Sequence, residues 1–507
     1  MAVVAIVIAG CARVAAPPGP SEAGAVAWAS TNEADASPVE KTAALADAGV
    51  VAPPVATQID PDGNDDDEEP GTGKLPEVAR WEKVGTPPLA LTRICDLTPF
   101  RGALYAAHAN QPLGTDGATI TRYEPSDTAS RQEANAAARR PFRVAFDWNR
   151  PGEPVKGGGA GQGFLRVRAI GGRLFVPDAD PPYGGLGVVD WGTEGYVFVS
   201  NDKGVFAPPR APNFKPPGFP DLRAEADPRA GAGVLPRAYH VIDVIRYRGA
   251  LYASTGSVPP KERAWSGPSP GALHRASEDG SRWTYEVDYP YPWKDGVWRL
   301  TYLVRFKDRL YAGIQDYAGR DPNDFVVFTP DASAADAGSP TTLRREDARP
   351  TRITRAGASG TLRWWVDTRA SPPRLYWLAW TRDGIVLRVT IDGDNWAAID
   401  LPEGAGSPTD VTRFRDAVVV LTTQGLYRID GAAIDGPADI AAMSGVADAA
   451  ARLIAPVEEV GAKAKTKTKT KSPFEVTDFF CTAPLAVMND VLYAGGQRGG
   501  TLYRLIE

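Results

Sequence analysis

One apolar phrase recurs along this chain of 507 residues, and no other feature limits its possible folds as much. The copies are FRGALYA from Phe100, IGGRLFV from Ile170, YRGALYA from Tyr247, FKDRLYA from Phe306, FRDAVVV from Phe414 and MNDVLYA from Met488, with a looser PRLYW from Pro373. They stand about 40 to 80 residues apart, the spacing of an architecture in which each repeat is one supersecondary unit. Gly or Asp after Arg, Lys or Asn at the centre of the phrase is a turn former, so each copy reads as strand, tight turn, strand. More strands flank the phrase. In the third unit HVIDVIRY and ALYAST are followed by GALHRAS, the turn EDGS and RWTYEVD; the fifth repeats the scheme as TLRWWVD, RLYWLAW, IVLRVTI and NWAAIDLP. Four strands per unit make a propeller blade. Ala250-Leu251-Tyr252-Ala253 is apolar on both faces, which follows if every sheet is pressed between two neighbours. The expected fold is therefore all-β, a seven-bladed β-propeller, with six blades as the count if the second or fifth unit is not one.

The approximate blades are 90–150, 164–215, 238–290, 298–350, 353–402, 408–456 and 475–507. The last copy is one strand short, and ARWEKVG at 79–85 looks like RWTYEVD and NWAAIDL. A strand from the N-terminal side is thus expected to complete the last blade and remove its open edge. Gly 52 and Pro 46, with aromatics set in short apolar runs, suit many short strands joined by turns. A net charge of −6 provides no general basic surface for a nucleic-acid backbone, so DNA and RNA are not expected partners.

Two turns carry a further pattern: Ser277-Glu-Asp279-Gly280-Ser-Arg-Trp283 and Thr390-Ile-Asp392-Gly393-Asp-Asn-Trp396. They resemble the Asp-box of sialidase-type and related bacterial propellers, one residue shorter than the usual spacing, and Ser200-Asn-Asp202-Lys-Gly204-Val-Phe206 is a weaker third copy. The box is structural in those families, so the resemblance implies fold and not catalysis.

The first eleven residues, MAVVAIVIAGC, are apolar and too short to span a bilayer. Ile8-Ala9-Gly10-Cys11 resembles the lipobox of bacterial lipoproteins, although the preceding segment holds no Lys or Arg. The resemblance implies cleavage before Cys11, a lipid on its thiol, and export to a membrane. Ala12 in place of Asp implies the outer membrane, on its periplasmic or cell-surface side. Residues 12–75 are Ala, Pro, Ser, Thr, Asp and Glu with scarcely an aromatic, the composition of a tether. Within it DPDGNDDDEEP (60–70) is read as a solvated acidic stretch, since it lacks the closing Glu of a calcium loop.

Candidate sites follow from the repeat. Asp96, Asp243 and Asp410 hold one equivalent position on the innermost strands, with Asp478 as an approximate fourth, so symmetry would set them near one mouth of the channel. Such a ring could hold a cation or meet a polar ligand; the plainer reading is Asp bonding backbone amides at the start of a strand. Arg93, Arg168, Arg305 and Arg413 are placed near the same mouth. Trp293, Trp298, Trp364 and Trp365, with Trp377 and Trp380, concentrate in blades three to five and could stack on sugar rings, with YPYPWKDGVW (289–298) as the best loop. Cys95 and Cys481 fall on neighbouring blades. A disulfide is chemically open to an exported protein, but their registers differ by about two residues, which favours two separate buried thiols. KAKTKTKTK (463–471) reads as a solvated loop.

His108, His240 and His274 have no metal-ligand spacing, and no nucleophile or phosphate-loop motif is present. No cofactor or metal is expected, calcium being the one ion weighed. The function expected is that of a monomeric cell-envelope lipoprotein whose propeller binds an envelope protein or a glycan. The rival is a sialidase-like hydrolase acting on polysaccharide, which would need an arginine triad converging with carboxylates.

Overall fold

The computed structural model describes residues 71–87, 91–109, 118–125, 142–148, 163–179, 183–184, 189–190, 194–206, 232–257, 270–277, 279–289, 298–316, 319–330, 342–355, 357–429, 451–457, 472–477 and 480–507. They form a seven-bladed β-propeller of four-stranded antiparallel sheets. Blade one is Arg93–Phe100, Ala103–Ala109, Thr119–Tyr123 and Phe142–Asp147, and blades three to six follow the same innermost-to-outermost order. Blade two ends on Ala232–Pro236, beyond the 164–215 expected from sequence, because a long connection separates that strand from Glu194–Val199. Blade seven takes Leu485–Met488, Val491–Gly495 and Leu502–Ile506, and is completed by Arg80–Gly85 pairing antiparallel with Leu502–Ile506.

The repeated phrase is explained by where its two central side chains go. Leu104 packs at the interface with blade seven, beside Tyr493, while the adjacent Tyr105 packs at the interface with blade two, beside Leu174. The same division holds for Leu251 and Tyr252, for Leu310 and Tyr311, and for Leu375 and Tyr376. Each residue of the Leu-aromatic pair serves one of two neighbours, and each of the seven interfaces has its own buried cluster, the one between blades four and five extending along the axis to Cys95, Leu165, Ile242 and Cys481. Full burial of such a side chain is worth about 1.5–3 kcal/mol, so alternation with polar residues would forfeit one interface.

The hairpins joining the two inner strands are tight. Arg101-Gly102, Gly171-Gly172, Arg248-Gly249, Lys307-Asp308 and Asn489-Asp490 hold positive φ at both turn positions, the conformation whose twist matches the flanking strands. Farther out, Asp279 Oδ1 accepts from Ser277 Oγ (2.5 Å) and the Ser281 amide (3.0 Å), and Trp283 Nε1 donates to the Gly280 carbonyl (2.9 Å). Asp392 Oδ1 takes the amides of Asp394 and Asn395 in blade five. In blade two that role falls to Asn201, which accepts from Lys203 and Val205, and not to Asp202.

Two details at the closure differ from the sequence expectation. Leu75, assigned by composition to the tether, is buried with Ala79, Phe474 and Leu505. Cys95 and Cys481 are bonded to one another, with Cα atoms 4.8 Å apart, where their registers in the sequence favour separate thiols. The reason is a β-bulge: Ile94 pairs with His108 and Asp96 with Ala107, so Cys95 stands outside the ladder and is not bound by the strand register. Cys481 in turn lies ahead of the innermost strand, on a short hairpin where the Thr477 amide donates to the Cys481 carbonyl.

Removing residues 1–85 deletes the closing strand and exposes both the edge of Leu502–Ile506 and the cluster around Leu505. This is expected to lower the thermal midpoint by at least 10 °C or to make the protein insoluble, with partial recovery when a peptide covering 71–87 is added; an unchanged midpoint would show that closure contributes nothing.

Candidate functional site

Counting back four residues from the last residue of each innermost strand gives one position in all seven blades: Asp96, Arg166, Asp243, Tyr302, Arg363, Asp410 and Pro484. In four blades the residue just before this position is a β-bulge, namely Cys95, Ile242, Leu362 and Thr409. A bulge re-aims the side chain that follows it. The repeat therefore carries one layer of polar side chains across the ring, in which the aspartates expected from sequence stand beside Arg166, Tyr302 and Arg363.

Within that layer Arg166 Nη1 lies 3.1 Å from Asp96 Oδ1, and its Nε lies 3.5 Å from Asp243 Oδ1. Arg363 Nη1 donates to the same Asp96 oxygen (2.8 Å), its Nη2 to the Cys95 carbonyl (2.6 Å), and its Nε stands 3.7 Å from Asp410 Oδ2. Arg168 grips Asp243 with two bonds, 2.9 and 2.7 Å. Tyr302 lies beneath the Arg166 guanidinium, 4.9 Å from ring centre, and its hydroxyl donates to the Phe480 carbonyl. Three carboxylates thus face three guanidinium groups, all buried except the slightly exposed Arg168, so the opposite charges of this low-dielectric site are matched in number.

Each aspartate also reaches the next blade. The amide of Val167 donates to Asp96 (3.0 Å), that of Leu303 to Asp243 (2.8 Å) and that of Leu485 to Asp410 (2.7 Å). Burial alone would raise the Asp243 carboxyl, but Arg168, Arg166 and the Leu303 amide outweigh it and hold the group below the usual carboxylate range. Asp410 differs. Burial pushes it up and outweighs the more distant Arg363 together with its two backbone donors. The arrangement binds blade to blade, one to two, three to four and six to seven, and the three aspartates are buried inside it and do not line an open mouth.

The remaining candidates do not converge. Arg93 is buried at the start of its strand, donating to Thr477 Oγ1 (2.8 Å) and the Ala109 carbonyl (3.4 Å). Arg305 and Arg413 sit at the opposite, hairpin ends of theirs, and Arg413 is held by both oxygens of Asp367 (3.0 and 2.5 Å). Trp298 and Trp364 are core residues, and Trp364 Nε1 donates to the Tyr302 carbonyl. Trp365 is half-buried against Tyr376. These indoles fill interfaces instead of forming an exposed stacking platform. Trp293, Asp478, Cys11, the acidic stretch 60–70 and the basic stretch 463–471 lie outside the described residues.

No family model and no curated protein matches this sequence. Among solved structures, virginiamycin B lyase from Staphylococcus aureus is similar at 7% identity and a TM-score of 0.42, covering 85% of this chain and 99% of that one. A Dyadobacter fermentans protein of unknown function is similar at 13% identity and 0.38, covering 69% and 94%, and an α-L-arabinofuranosidase from Fusarium graminearum at 11% and 0.33, covering 85% and 98%.

Two outcomes test this site. Replacing Arg363 by Leu leaves Asp96 and Asp410 short of a counter-charge, which is expected to cost about 3–5 kcal/mol in urea unfolding; a loss under 1 kcal/mol would mean the layer is solvated. The three histidines are buried, and burial lowers His108 and His274 to about 4 and His240 well below its ordinary value. They fold neutral, whereas the unfolded chain takes up protons below about pH 6.5. Stability from these groups is complete above about pH 6.5 and is lost as pH falls from 6.5 toward 4. Thermal midpoints measured at pH 7.5, 6 and 4.5 should decline in that order, and most steeply in the last interval; a flat profile would contradict the neutral assignment.

Proposed function

We propose that this protein is an exported, membrane-anchored binding module, lipidated at Cys11, whose propeller presents a face to a cell-envelope protein or glycan. The observation that supports a binding role best is the use made of the axial carboxylates. A sialidase-like hydrolase would need an arginine triad converging with carboxyl groups that stay open to the scissile bond. Asp96, Asp243 and Asp410 instead spend their oxygens on Arg166, Arg168, Arg363 and three backbone amides. Arg93, Arg305 and Arg413, which a hydrolase would have to bring together, stand at opposite ends of their strands. The propeller acts here as a rigid scaffold, and ligand contacts belong to the connections that emerge around the closed axis.

Fractionation and a glycan array test the reading together. Wild-type protein is expected in the membrane fraction and Cys11→Ser in the soluble one, with the soluble variant retaining a ligand on an array of envelope glycans or a single cross-linked envelope protein. Release of reducing ends from a polysaccharide well above the buffer rate, abolished by an Asp→Asn change in the axial layer, would sink the binding reading in favour of hydrolysis.

A further inference from the structure

The seven hairpins that join the two inner strands crowd around one end of the axis, and their charge is far from that of the whole chain. Counting the last two residues of each innermost strand, the turn, and the first residue of the next strand, Lys and Arg number eleven and Asp four; Asp394 and Glu507, from outside that window, pair with Arg309 and Arg415, which leaves a surplus of five on a chain of net charge −6. The four acids are already occupied. Asp308 holds Arg248 (3.0 and 2.5 Å) and Asp367 holds Arg413. Asp490 accepts the amide of Thr72 and Asp416 that of Leu75, each at 2.8 Å. Arg101, Lys307 and Arg369 are exposed and face no carboxylate among the described residues. Around blade two the crowding is closest: a side chain added at Gly171 would meet the Arg246 guanidinium from blade three, and one added at Gly172 would approach that of Arg101 from blade one.

We infer that this hairpin face docks on anionic phospholipid headgroups. Charge complementarity alone would suit any polyanion, the acidic residues 60–69 just ahead of Gly71 included; a lipid on Cys11 is what favours the membrane, because the tethered chain joins the ring at this same end. Thr72, Lys74 and Leu75 are fixed to the hairpins of blades six and seven, Arg415 donating to the Lys74 carbonyl (3.1 Å), so a chain tethered through Cys11 reaches the propeller at the basic face. The inference deepens the anchored reading and rests on it for the choice of lipid over free polyanion. Bulky Arg and Lys occupy left-handed turn positions that Gly or Asn would fill with less strain, φ being +50° at Arg101 and +48° at Lys307, so a cation stands there at a conformational cost.

The test uses the full chain carrying Cys11→Ser, so that lipidation plays no part, with vesicles of phosphatidylcholine alone or with 30% phosphatidylglycerol. Binding to the anionic vesicles only is expected at low salt, weakening at least tenfold as screening rises from about 50 to 300 mM. Adding Arg101→Asn, Lys307→Asn and Arg369→Gln, with Asn chosen because it accepts the turn conformation, should weaken it by about a hundredfold without lowering the thermal midpoint. Insertion through the apolar residues 1–10 would be equal in both chains and indifferent to salt, and would overturn the inference. So would equal binding to both vesicle types, or binding to soluble heparin with none to vesicles. Failure here with wild-type protein still in the membrane fraction rejects the docking face alone, whereas wild-type protein in the soluble fraction rejects the anchor.

Discussion

Burial of the second strand of every blade on both faces is the constraint from which the rest of the structure follows. A strand that is wet on one side needs an apolar residue at every other position. A strand held between two neighbours needs one at each, and Leu104-Tyr105, Leu251-Tyr252 and Leu310-Tyr311 meet that need by sending the aliphatic side chain to the preceding blade and the aromatic one to the following blade. In every blade but the sixth, where the pair is Val418-Val419, the larger side chain faces forward, so those blades are asymmetric in one common sense. Space is shared tightly across these interfaces. A side chain at Gly393, in the outer turn of blade five, would strike the Tyr311 ring system of blade four, and Gly204 stands in the same relation to Tyr105.

That packing is non-directional and does not by itself set the height of one blade against the next. The axial layer supplies the missing direction. Asp96, Asp243 and Asp410 each accept an amide from the adjoining innermost strand, and Arg166 and Arg363 bridge pairs of them across the axis. Buried ion pairs add little net stability because their desolvation nearly cancels their attraction, but they penalise every register in which a charge is left alone. A slip of one residue in any of these strands would strand a carboxylate or a guanidinium in the interior. The Cys95–Cys481 bond, set at the bulge beside Asp96, fixes the seam between blades seven and one in the same layer.

Much of this was legible from the residues. The phrase around Leu-Tyr, the four strands per unit and the resemblance of 79–85 to other outer strands lead to the seven blades and their closure, because apolar patterning and turn chemistry are local. The site was only half legible. Equivalent positions for Asp96, Asp243 and Asp410 follow from alignment to the hairpin, but Arg166 and Arg363 occupy the same column, and reading down it for opposite charges would have found the pairing. The bulges at Cys95, Ile242, Leu362 and Thr409 leave no trace in composition, and they decide both the aim of the aspartates and the disulfide. Tryptophans near one another in sequence looked like a surface because nothing in the chain says which of them fill interfaces. Net charge misled too, since an acidic total conceals the eleven cations gathered at the hairpins.

The axis is thus a lock that holds neighbouring blades in register. Hydrogen exchange of three amides measures this most directly. If Val167, Leu303 and Leu485 are bound to buried aspartates of the preceding blade, they should exchange only when the whole ring unfolds, with protection equal to the global stability. Exchange of these amides within seconds at neutral pH, in a protein that is otherwise fully folded, would mean that water fills the axis and that the lock does not exist.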